Sequence, residues 1–222
     1  MLTAINKLSS LLILLSIIVI LPSCSPSYLK GYKEVKISTT DPFVFNDNFE
    51  KVVYKTNLEV MGNELSGILI VKKIEDNETR FVFISELGLK YFDLGIKSNV
   101  QEQVLTTYYI MPALNRGRIN ELLFDNFSKL LPLDKNNFQT LYYQDIINNN
   151  NSNNMAVEYK ATGSKSIYFS NNNKVFKIVW KSDVSGSSSI LLSEYKNSIP
   201  QQIKISNGKY GLSFDMTELK PN

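Results

Sequence analysis

Histidine is absent from the 222-residue sequence, and cysteine occurs once, as Cys24. Without histidine the chain cannot build a Ser-His-Asp or Cys-His nucleophilic site, nor a zinc site of imidazole and thiolate ligands. A lone cysteine also excludes a disulfide within the chain. These absences exclude most hydrolases and zinc enzymes, so the sequence predicts a protein that is not an enzyme and holds no metal and no cofactor.

Carboxylate chemistry is the enzymatic class that these absences leave open. Glu86 and Asp93 flank a turn at Gly88, and two carboxylates about 5–9 Å apart can act as acid and base on a glycan. Charged residues near strand ends are more often solvated or ion-paired, and nothing in the spacing obliges these two to share a face. A carboxylate-based glycan hydrolase is therefore the least favoured interpretation.

An excess of charge of one sign is also missing. The chain has 24 Lys and Arg residues against 21 Asp and Glu residues, a net charge of +3, and the basic residues are scattered along its length. Because nucleic-acid-binding domains concentrate their basic residues in one patch or stripe, we expect no nucleic-acid partner.

The N-terminus carries an apolar run from Leu11 to Leu21, interrupted only by Ser16 and preceded by Lys7. This run is about half of the ~20 residues that a membrane-spanning helix needs, so an uncleaved anchor is the less favoured interpretation. A charged start, an apolar middle and a small residue before the cut are typical of a secretory signal peptide. The sequence predicts cleavage after residue 23.

Cys24 would be the first residue of the mature chain, in the sequence Leu-Pro-Ser-Cys, which resembles a bacterial lipobox. Its thiol can take a diacylglycerol, and the freed amine can take a third acyl chain such as palmitate. Since two or three acyl chains give stable membrane attachment, Cys24 is the predicted lipid-attachment residue. Residues 24–33 then form a lipidated tether, and residues 34–222 a single domain.

The mature chain is mainly β, with about eleven strands in two blocks, residues 33–110 and 137–218. Several strands are apolar on both faces near their middle, whereas a one-sided open sheet would alternate more cleanly. Asn115 can cap a helix over Arg116–Leu131, because apolar residues recur there at helical spacing on one face and Pro132 ends it. The pattern predicts a strongly curved antiparallel sheet, an incomplete barrel, with one amphipathic helix.

The helix either packs on the sheet as ordinary core or acts as a lid over an apolar cavity. Trp180, the only tryptophan, shares a strand with other apolar residues, and both alternatives place that strand face inward. The candidate cavity-lining residues are Phe81, Phe83, Leu122, Phe127, Phe176, Ile178, Trp180 and Leu192. Arg116 and Arg118 stand at the helix start, the unfavourable end for cations, and indicate either an anionic head group or plain solvation.

The order of lipobox, tether, strands, one helix and further strands resembles the LolA/LolB-like carriers and acceptors of bacterial lipoproteins. The local resemblance lies in Ser66-Gly67 before an apolar run, in residues 81–84, and in Tyr195 with Ile199-Pro200. The resemblance implies a half-open barrel with a helical lid and an apolar cavity. Family carriers have more than one helix, and acceptors push an exposed apolar loop into the membrane; neither stands out in this sequence.

The resemblance also implies a function. We expect a monomeric, membrane-anchored lipoprotein that binds acyl chains or lipoproteins and aids lipoprotein or lipid localisation to the outer membrane. The alternative is a structural or interaction lipoprotein of the cell envelope with a filled core. Bacteroidetes-type lipoproteins exported to the cell surface carry an acidic run after the cysteine; the run is missing here and Ser25 follows Cys24, so we expect an outer-membrane anchor with the domain facing the periplasm.

Overall fold

A computed structural model describes residues 28–36, 42–45, 49–74, 77–98, 102–132, 138–147 and 153–220. The chain divides into two units, Met1–Lys30 and Gly31–Asn222, and the second contains every described helix and strand. The predicted signal peptide and Cys24 lie outside the described residues. Within the described ranges no helix is both long and apolar enough to span a membrane.

The described residues contain thirteen strands and one helix. The predicted mainly β fold with a single helix is confirmed, and the thirteen strands exceed the predicted count of about eleven. The elements in chain order are β1 Tyr32–Val35, β2 Lys51–Val60, β3 Asn63–Lys73, β4 Glu78–Ile84, β5 Lys90–Ser98, β6 Gln103–Ile110, α1 Ile119–Ser128, β7 Gln139–Asp145, β8 Asn154–Ala161, β9 Ser164–Asn171, β10 Lys174–Ser182, β11 Gly186–Lys196, β12 Ile199–Asn207 and β13 Leu212–Glu218.

All thirteen strands form one antiparallel sheet in the order β1-β7-β8-β9-β10-β11-β12-β13-β2-β3-β4-β5-β6. The last strand of the chain, β13, pairs with β2, so that Phe214 lies opposite Leu58. This pairing joins the two predicted blocks of strands into one surface. Among the described residues the free edges of the sheet are β1 and β6.

Tight hairpins connect several of the neighbouring strands. Met61 and Gly62, between β2 and β3, both have positive φ angles of 52° and 77°. Asn172 and Asn173, between β9 and β10, do the same at 48° and 62°. Two consecutive left-handed residues give the turn whose twist matches that of the flanking strands, which explains the Gly and Asn residues at three of these four positions.

The inner face of the sheet is apolar and is covered by α1. In β2 every second residue is buried, at positions 52, 54, 56, 58 and 60. From α1, Phe127 reaches down to stack on Phe81 with ring centroids 4.5 Å apart, and it also contacts Phe214 at 5.3 Å. Burying one such side chain stabilises the fold by about 1.5–3 kcal/mol. The contacts of Phe127 with the sheet therefore contribute to stability as well as fixing the helix on the inner face.

The helix is shorter than predicted. It spans Ile119–Ser128, and Arg118 occupies the N-cap position without a side-chain capping bond. Gly117, at φ 58°, lies in the left-handed region, which a right-handed helix cannot include. The residues from Asn115 to Gly117 therefore form a turn that leads into the helix.

Candidate ligand site between the sheet and the helix

Seven of the eight predicted cavity-lining residues lie together between the sheet and α1. They come from four elements and are at most 4% exposed: Phe81 and Phe83 on β4, Leu122 and Phe127 on α1, Ile178 and Trp180 on β10, and Leu192 on β11. All seven belong to one continuous apolar cluster. In this conformation their rings and chains pack against one another, so their role as a ligand lining stays a prediction.

Phe176 does not join this cluster. The pairing of β10 with β9 shifts register between Val175 and Lys177, so Val175 and Ile178 both point inward and are fully buried. Phe176 is 37% exposed, and its ring contacts Phe169 with centroids 6.2 Å apart. A β-bulge inserts one extra residue into the alternation of a strand. This bulge places Phe176 on the face opposite Ile178 and Trp180, and so corrects the expectation that the three share one face.

Asp125 fastens the outer side of α1 to the end of β10. Its Oδ2 accepts hydrogen bonds from Trp180 Nε1 at 2.9 Å, Ser182 Oγ at 2.8 Å and Ser185 Oγ at 2.6 Å. Lys129 Nζ lies 3.5 Å from Oδ1. Burial alone would raise the pKa of Asp125, but the charge of Lys129 and these hydrogen bonds outweigh it, and the pKa is lowered.

Burial lowers the pKa of Lys129, and the nearby Asp125 charge opposes that effect only in part. Asp125 and Lys129 therefore each help to keep the other in its charged form. Removing one partner of such a pair leaves the second charge desolvated and unpaired, which is the costly case.

A buried amide pair fixes α1 from below. Asn126 and Asn207 each donate to the other at 2.9 Å, and Asn207 also donates to Ser188 Oγ at 2.8 Å. The two asparagines are 0% and 3% exposed. Because a buried amide without its partner is expensive, this pair specifies one position of the helix on the sheet.

A pocket of about 350 Å³ lies where the chain enters α1. Most of its lining is apolar and Arg116 is its one charged residue; the lining comprises Val60, Met61, Asn63, Leu65, Met111, Ala113, Leu114, Arg116 and Ile119. An apolar chain fits such a lining, and Arg116 stands where an anionic group attached to that chain could meet a cation.

The second arginine of the pair predicted at the helix start has a structural role. Arg118 bonds Glu121 through Nε at 2.8 Å and through NH2 at 2.6 Å. Its NH1 also donates to the carbonyl oxygen of Asp183. Of the two arginines, Arg116 is therefore the candidate for a ligand contact.

Two exposed leucines were not singled out from the sequence. Leu87 is 91% exposed and Leu89 is 66% exposed, and both flank Gly88 in the turn between β4 and β5, where φ is 82°. In the sequence they read as the last and first residues of two strands. Turns usually carry polar residues. The sequence Leu-Gly-Leu in a turn is therefore the signal that could have identified Leu87 and Leu89.

This turn lies at the same end of the sheet as the pocket. In an antiparallel meander the connections alternate between the two ends, so the β2–β3 turn, the β4–β5 turn and the segment after β6 share one end. The β2–β3 turn carries Met61, which is 63% exposed and lines the pocket. Exposed apolar side chains and the apolar pocket therefore belong to one end of the molecule.

Glu86 and Asp93, the two carboxylates considered for acid–base chemistry, lie in different environments. Asp93 is 3% exposed and accepts hydrogen bonds from Arg80 Nε at 2.8 Å and Lys90 Nζ at 2.9 Å. Burial would raise the pKa of Asp93, but these two cations outweigh it and lower the pKa. Glu86 is exposed. A carboxylate fixed as an anion between two cations is not suited to donate a proton.

Metal binding has no support in the part of the chain that the structure describes, where no group of three or more His, Cys, Asp or Glu side chains is placed to hold an ion. A larger groove of about 580 Å³ crosses β2, β3, β12 and β13. Its exposed side chains include Glu59, Glu64 and the ion pair of Lys204 with Asp215 at 3.1 Å. This polar groove does not suit an apolar ligand.

A long antiparallel sheet curved around one amphipathic helix, with an apolar pocket at the start of the helix, defines the half-barrel class of fold. Among solved structures the chain is similar to a Vibrio parahaemolyticus domain named as an outer membrane lipoprotein-sorting protein domain. The TM-score is 0.52 at 11% identity, over 79% of this chain and 86% of that one. This similarity shows a shared fold at low sequence identity.

Two further solved structures are similar at lower TM-scores. A LolA superfamily protein from Nitrosomonas europaea gives 0.48 at 11% identity, over 77% of this chain and 83% of that one. A DUF1329 family protein from Desulfovibrio piger gives 0.41 at 10% identity, over 78% and 85%. No protein-family profile matches the sequence, and no curated protein matches it either.

Proposed function

We propose that this protein is a membrane-anchored lipoprotein that binds the acyl chains of lipids or lipoproteins between its sheet and α1, and so aids their localisation to the outer membrane. One observation carries the proposal: an amphipathic helix lies across the apolar inner face of a curved sheet, with an apolar pocket at its first turn. The fold shared with a domain named for lipoprotein sorting supports it.

The physical need for such a protein is large. Each exposed CH₂ group costs about 0.8 kcal/mol in water, so a sixteen-carbon chain costs on the order of 12 kcal/mol if it crosses the periplasm bare. A carrier must offset that cost and still release its load. A sheet supplies apolar area, and a helix that lies across this area supplies a cover that can move aside.

In this proposal the described conformation is the closed one. The inner-face aromatic residues pack on Phe127, and an acyl chain would take the place of those contacts when α1 moves outward. A ligand that binds the open form better than the closed form shifts the population toward the open form. The pocket beside Ile119 and Leu114 is the point at which a chain would start to enter.

The exposed leucines give the proposal a membrane contact. In the acceptor proteins that the sequence resembles, an exposed apolar loop enters the membrane. Leu87 and Leu89 provide apolar side chains of this kind at the pocket end of the sheet. We propose that this turn touches the bilayer while an acyl chain is transferred.

The direct test is acyl-chain binding by the mature chain carrying Cys24→Ser, so that its own lipid does not compete. A fluorescent fatty acid should quench the emission of Trp180 at micromolar concentration, because Trp180 belongs to the cluster beneath the helix. Ile178→Asp should abolish the quenching while the circular dichroism of the sheet is retained. Leu191→Asp is the matched control, since Leu191 is 49% exposed on the outer face.

The alternative, a structural or interaction lipoprotein of the cell envelope without a ligand cavity, is favoured by one observation. The inner-face side chains are 0–6% exposed and closely packed, as in an ordinary core. Absence of binding by any fatty acid or lipopeptide at micromolar concentration, in a protein with native circular dichroism, would establish this alternative.

Metabolic labelling with a fatty acid tests the anchor separately. Wild type should be labelled and Cys24→Ala should not, and equal labelling of both would end the lipoprotein assignment.

A further inference from the structure

Strand β6 is the free edge of the sheet next to the pocket. In the described part of the chain it pairs only with β5, from Ser98 opposite Gln103 to Phe92 opposite Ile110. Its side chains are largely exposed, with Val104 at 40%, Tyr108 at 49% and Tyr109 at 41%. An edge strand of this kind presents a row of backbone N–H and C=O groups that can pair with another extended chain.

Natural sheets usually protect such edges with charged residues, proline or very short strands. The other free edge follows this rule, because β1 has only four residues and includes Lys33 and Glu34. Strand β6 has eight residues, Gln-Val-Leu-Thr-Thr-Tyr-Tyr-Ile, and none of them is charged, proline or glycine. The pairing with β5 shifts register at Tyr108, which is an extra residue in β6, so the regular and unprotected part of the long edge is Gln103–Thr107.

The structure holds β6 firmly in place on both faces. On the helix side, Gln103 Nε2 donates to the carbonyl oxygen of Pro132 at 3.0 Å, and Thr107 and Asn120 exchange hydrogen bonds at 3.1–3.2 Å. On the outer face, Tyr108 bonds Glu78 at 3.0 Å while Arg80 lies 4.0 Å from the centre of its ring. An edge fixed in this way needs no ordering before it accepts a partner.

The direction of β6 leads to the pocket. After Ile110 the chain continues directly into Met111, Ala113 and Leu114, which line the pocket of about 350 Å³. A chain paired along β6 would therefore have one end at that pocket.

We propose that β6 binds the extended peptide that follows the acylated cysteine of a lipoprotein ligand. This inference rests on the proposed function. In a mature lipoprotein the acylated cysteine is the first residue, so with its acyl chains at the pocket the peptide runs away from the pocket, antiparallel to β6. Antiparallel pairing is the more stable arrangement. The chain direction of the ligand therefore suits pairing with β6, which runs toward the pocket.

Backbone pairing also fits the chemistry of this ligand class. Main-chain hydrogen bonds to an edge strand supply affinity without reading side chains, so one site can accept peptides of different sequence. The uncharged edge repels neither an acidic nor a basic peptide. At about 3.4 Å per residue, the regular part of β6, Gln103–Thr107, can pair with a comparable length of peptide.

The experiment compares two lipopeptides with the same acylated cysteine and the same peptide sequence, one of them N-methylated at alternate residues so that it cannot pair with a strand. The protein is the mature chain carrying Cys24→Ser, and affinity is read from Trp180 quenching. We expect the N-methylated ligand to bind at least about tenfold more weakly. Thr106→Pro in β6 should bring both ligands to the weaker affinity and leave fatty-acid binding unchanged.

Lys33→Pro, at the edge formed by β1, is the matched control and should not alter the difference between the ligands. If Thr106→Pro does not fold, the comparison of the two ligands on the wild-type protein decides alone. Equal affinity for both lipopeptides, with normal fatty-acid binding, would overturn the β6 site and leave the proposed function standing. A dimer of the wild-type chain that Thr106→Pro dissociates, with no effect of N-methylation, would overturn it in favour of a second copy.

Discussion

At the scale of single residues, the polar contacts of Asp125 decide how firmly α1 is held. Three hydrogen-bond donors and one ammonium group converge on its carboxylate, and two of the donors, Trp180 and Ser182, belong to β10. The Asn126–Asn207 pair and the bond between Asn120 and Thr107 also hold the helix, so the outward movement of α1 that the proposed function requires would have to break several polar contacts.

Asp125→Asn should destabilise the fold by about 1–3 kcal/mol at neutral pH. The amide cannot accept all three donors or balance Lys129. The folded pKa of Asp125 is lowered, so its contribution is complete above the unfolded value of about 3.9 and is lost as the pH falls toward the folded value. Urea unfolding of wild type and variant should therefore differ at pH 7 and converge in acid. A difference that stays constant down to the acid limit would contradict this account.

Gly67 lies at a position in the sheet where there is no room for a side chain. A Cβ built on Gly67 would lie 2.0 Å from the carbonyl oxygen of Ile84, at the point where β4 and β5 shift register. Gly67→Ala must therefore displace the backbone that leads to the Leu87 turn, at a cost of about 1–3 kcal/mol. Ser66→Ala, with its side chain on the outer face, should cost far less, and thermal unfolding of the two variants measures the difference.

At the scale of elements, the sequence predicts what depends on neighbours along the chain. The alternation that buries Val52 and Leu58 is local, and so is the apolar face that puts Leu122 and Phe127 toward the sheet. The bulge that turns Phe176 outward depends on how β9 and β10 register, and no local pattern encodes it. The helix start shifts from Arg116 to Ile119 because Gly117 adopts a left-handed conformation that the apolar spacing does not reveal.

The buried pair of Asn126 and Asn207 was beyond sequence reasoning because 81 residues separate its members. Asn126 occupies a position on the apolar face, and only the sheet shows which amide satisfies it. Asn126→Leu alone should cost about 1–3 kcal/mol, since Asn207 is left without its partner. The double variant Asn126→Leu/Asn207→Leu should cost less than the sum of the single variants. Additive free energies of unfolding would mean that the two amides do not interact.

At the scale of the whole molecule, the pairing of β13 with β2 turns two separate meanders into one curved surface. The inner face of that surface and α1 enclose the apolar cluster. One end of the sheet bears the pocket, Met61 and the Leu87–Leu89 turn, and β6 runs toward that end. Binding of an acyl chain, contact with a membrane and pairing with a peptide would thus take place on adjoining parts of the same molecule, without a second domain.

Under the proposed function, this arrangement would separate acyl-chain binding from delivery to the membrane, because the exposed leucines do not belong to the apolar cluster beneath α1. The double variant Leu87→Asp/Leu89→Asp should bind a fluorescent fatty acid as wild type does, since neither side chain contributes to the buried core. Its transfer of that fatty acid to lipid vesicles should slow by about tenfold or more, because charged side chains at the turn oppose entry into the bilayer. Leu191→Asp, which charges a leucine that is 49% exposed on the outer face of the sheet, is the control and should transfer at the wild-type rate. Unchanged transfer by the double variant would assign membrane contact to another part of the molecule, while a loss of binding would show that the turn takes part in closing the site.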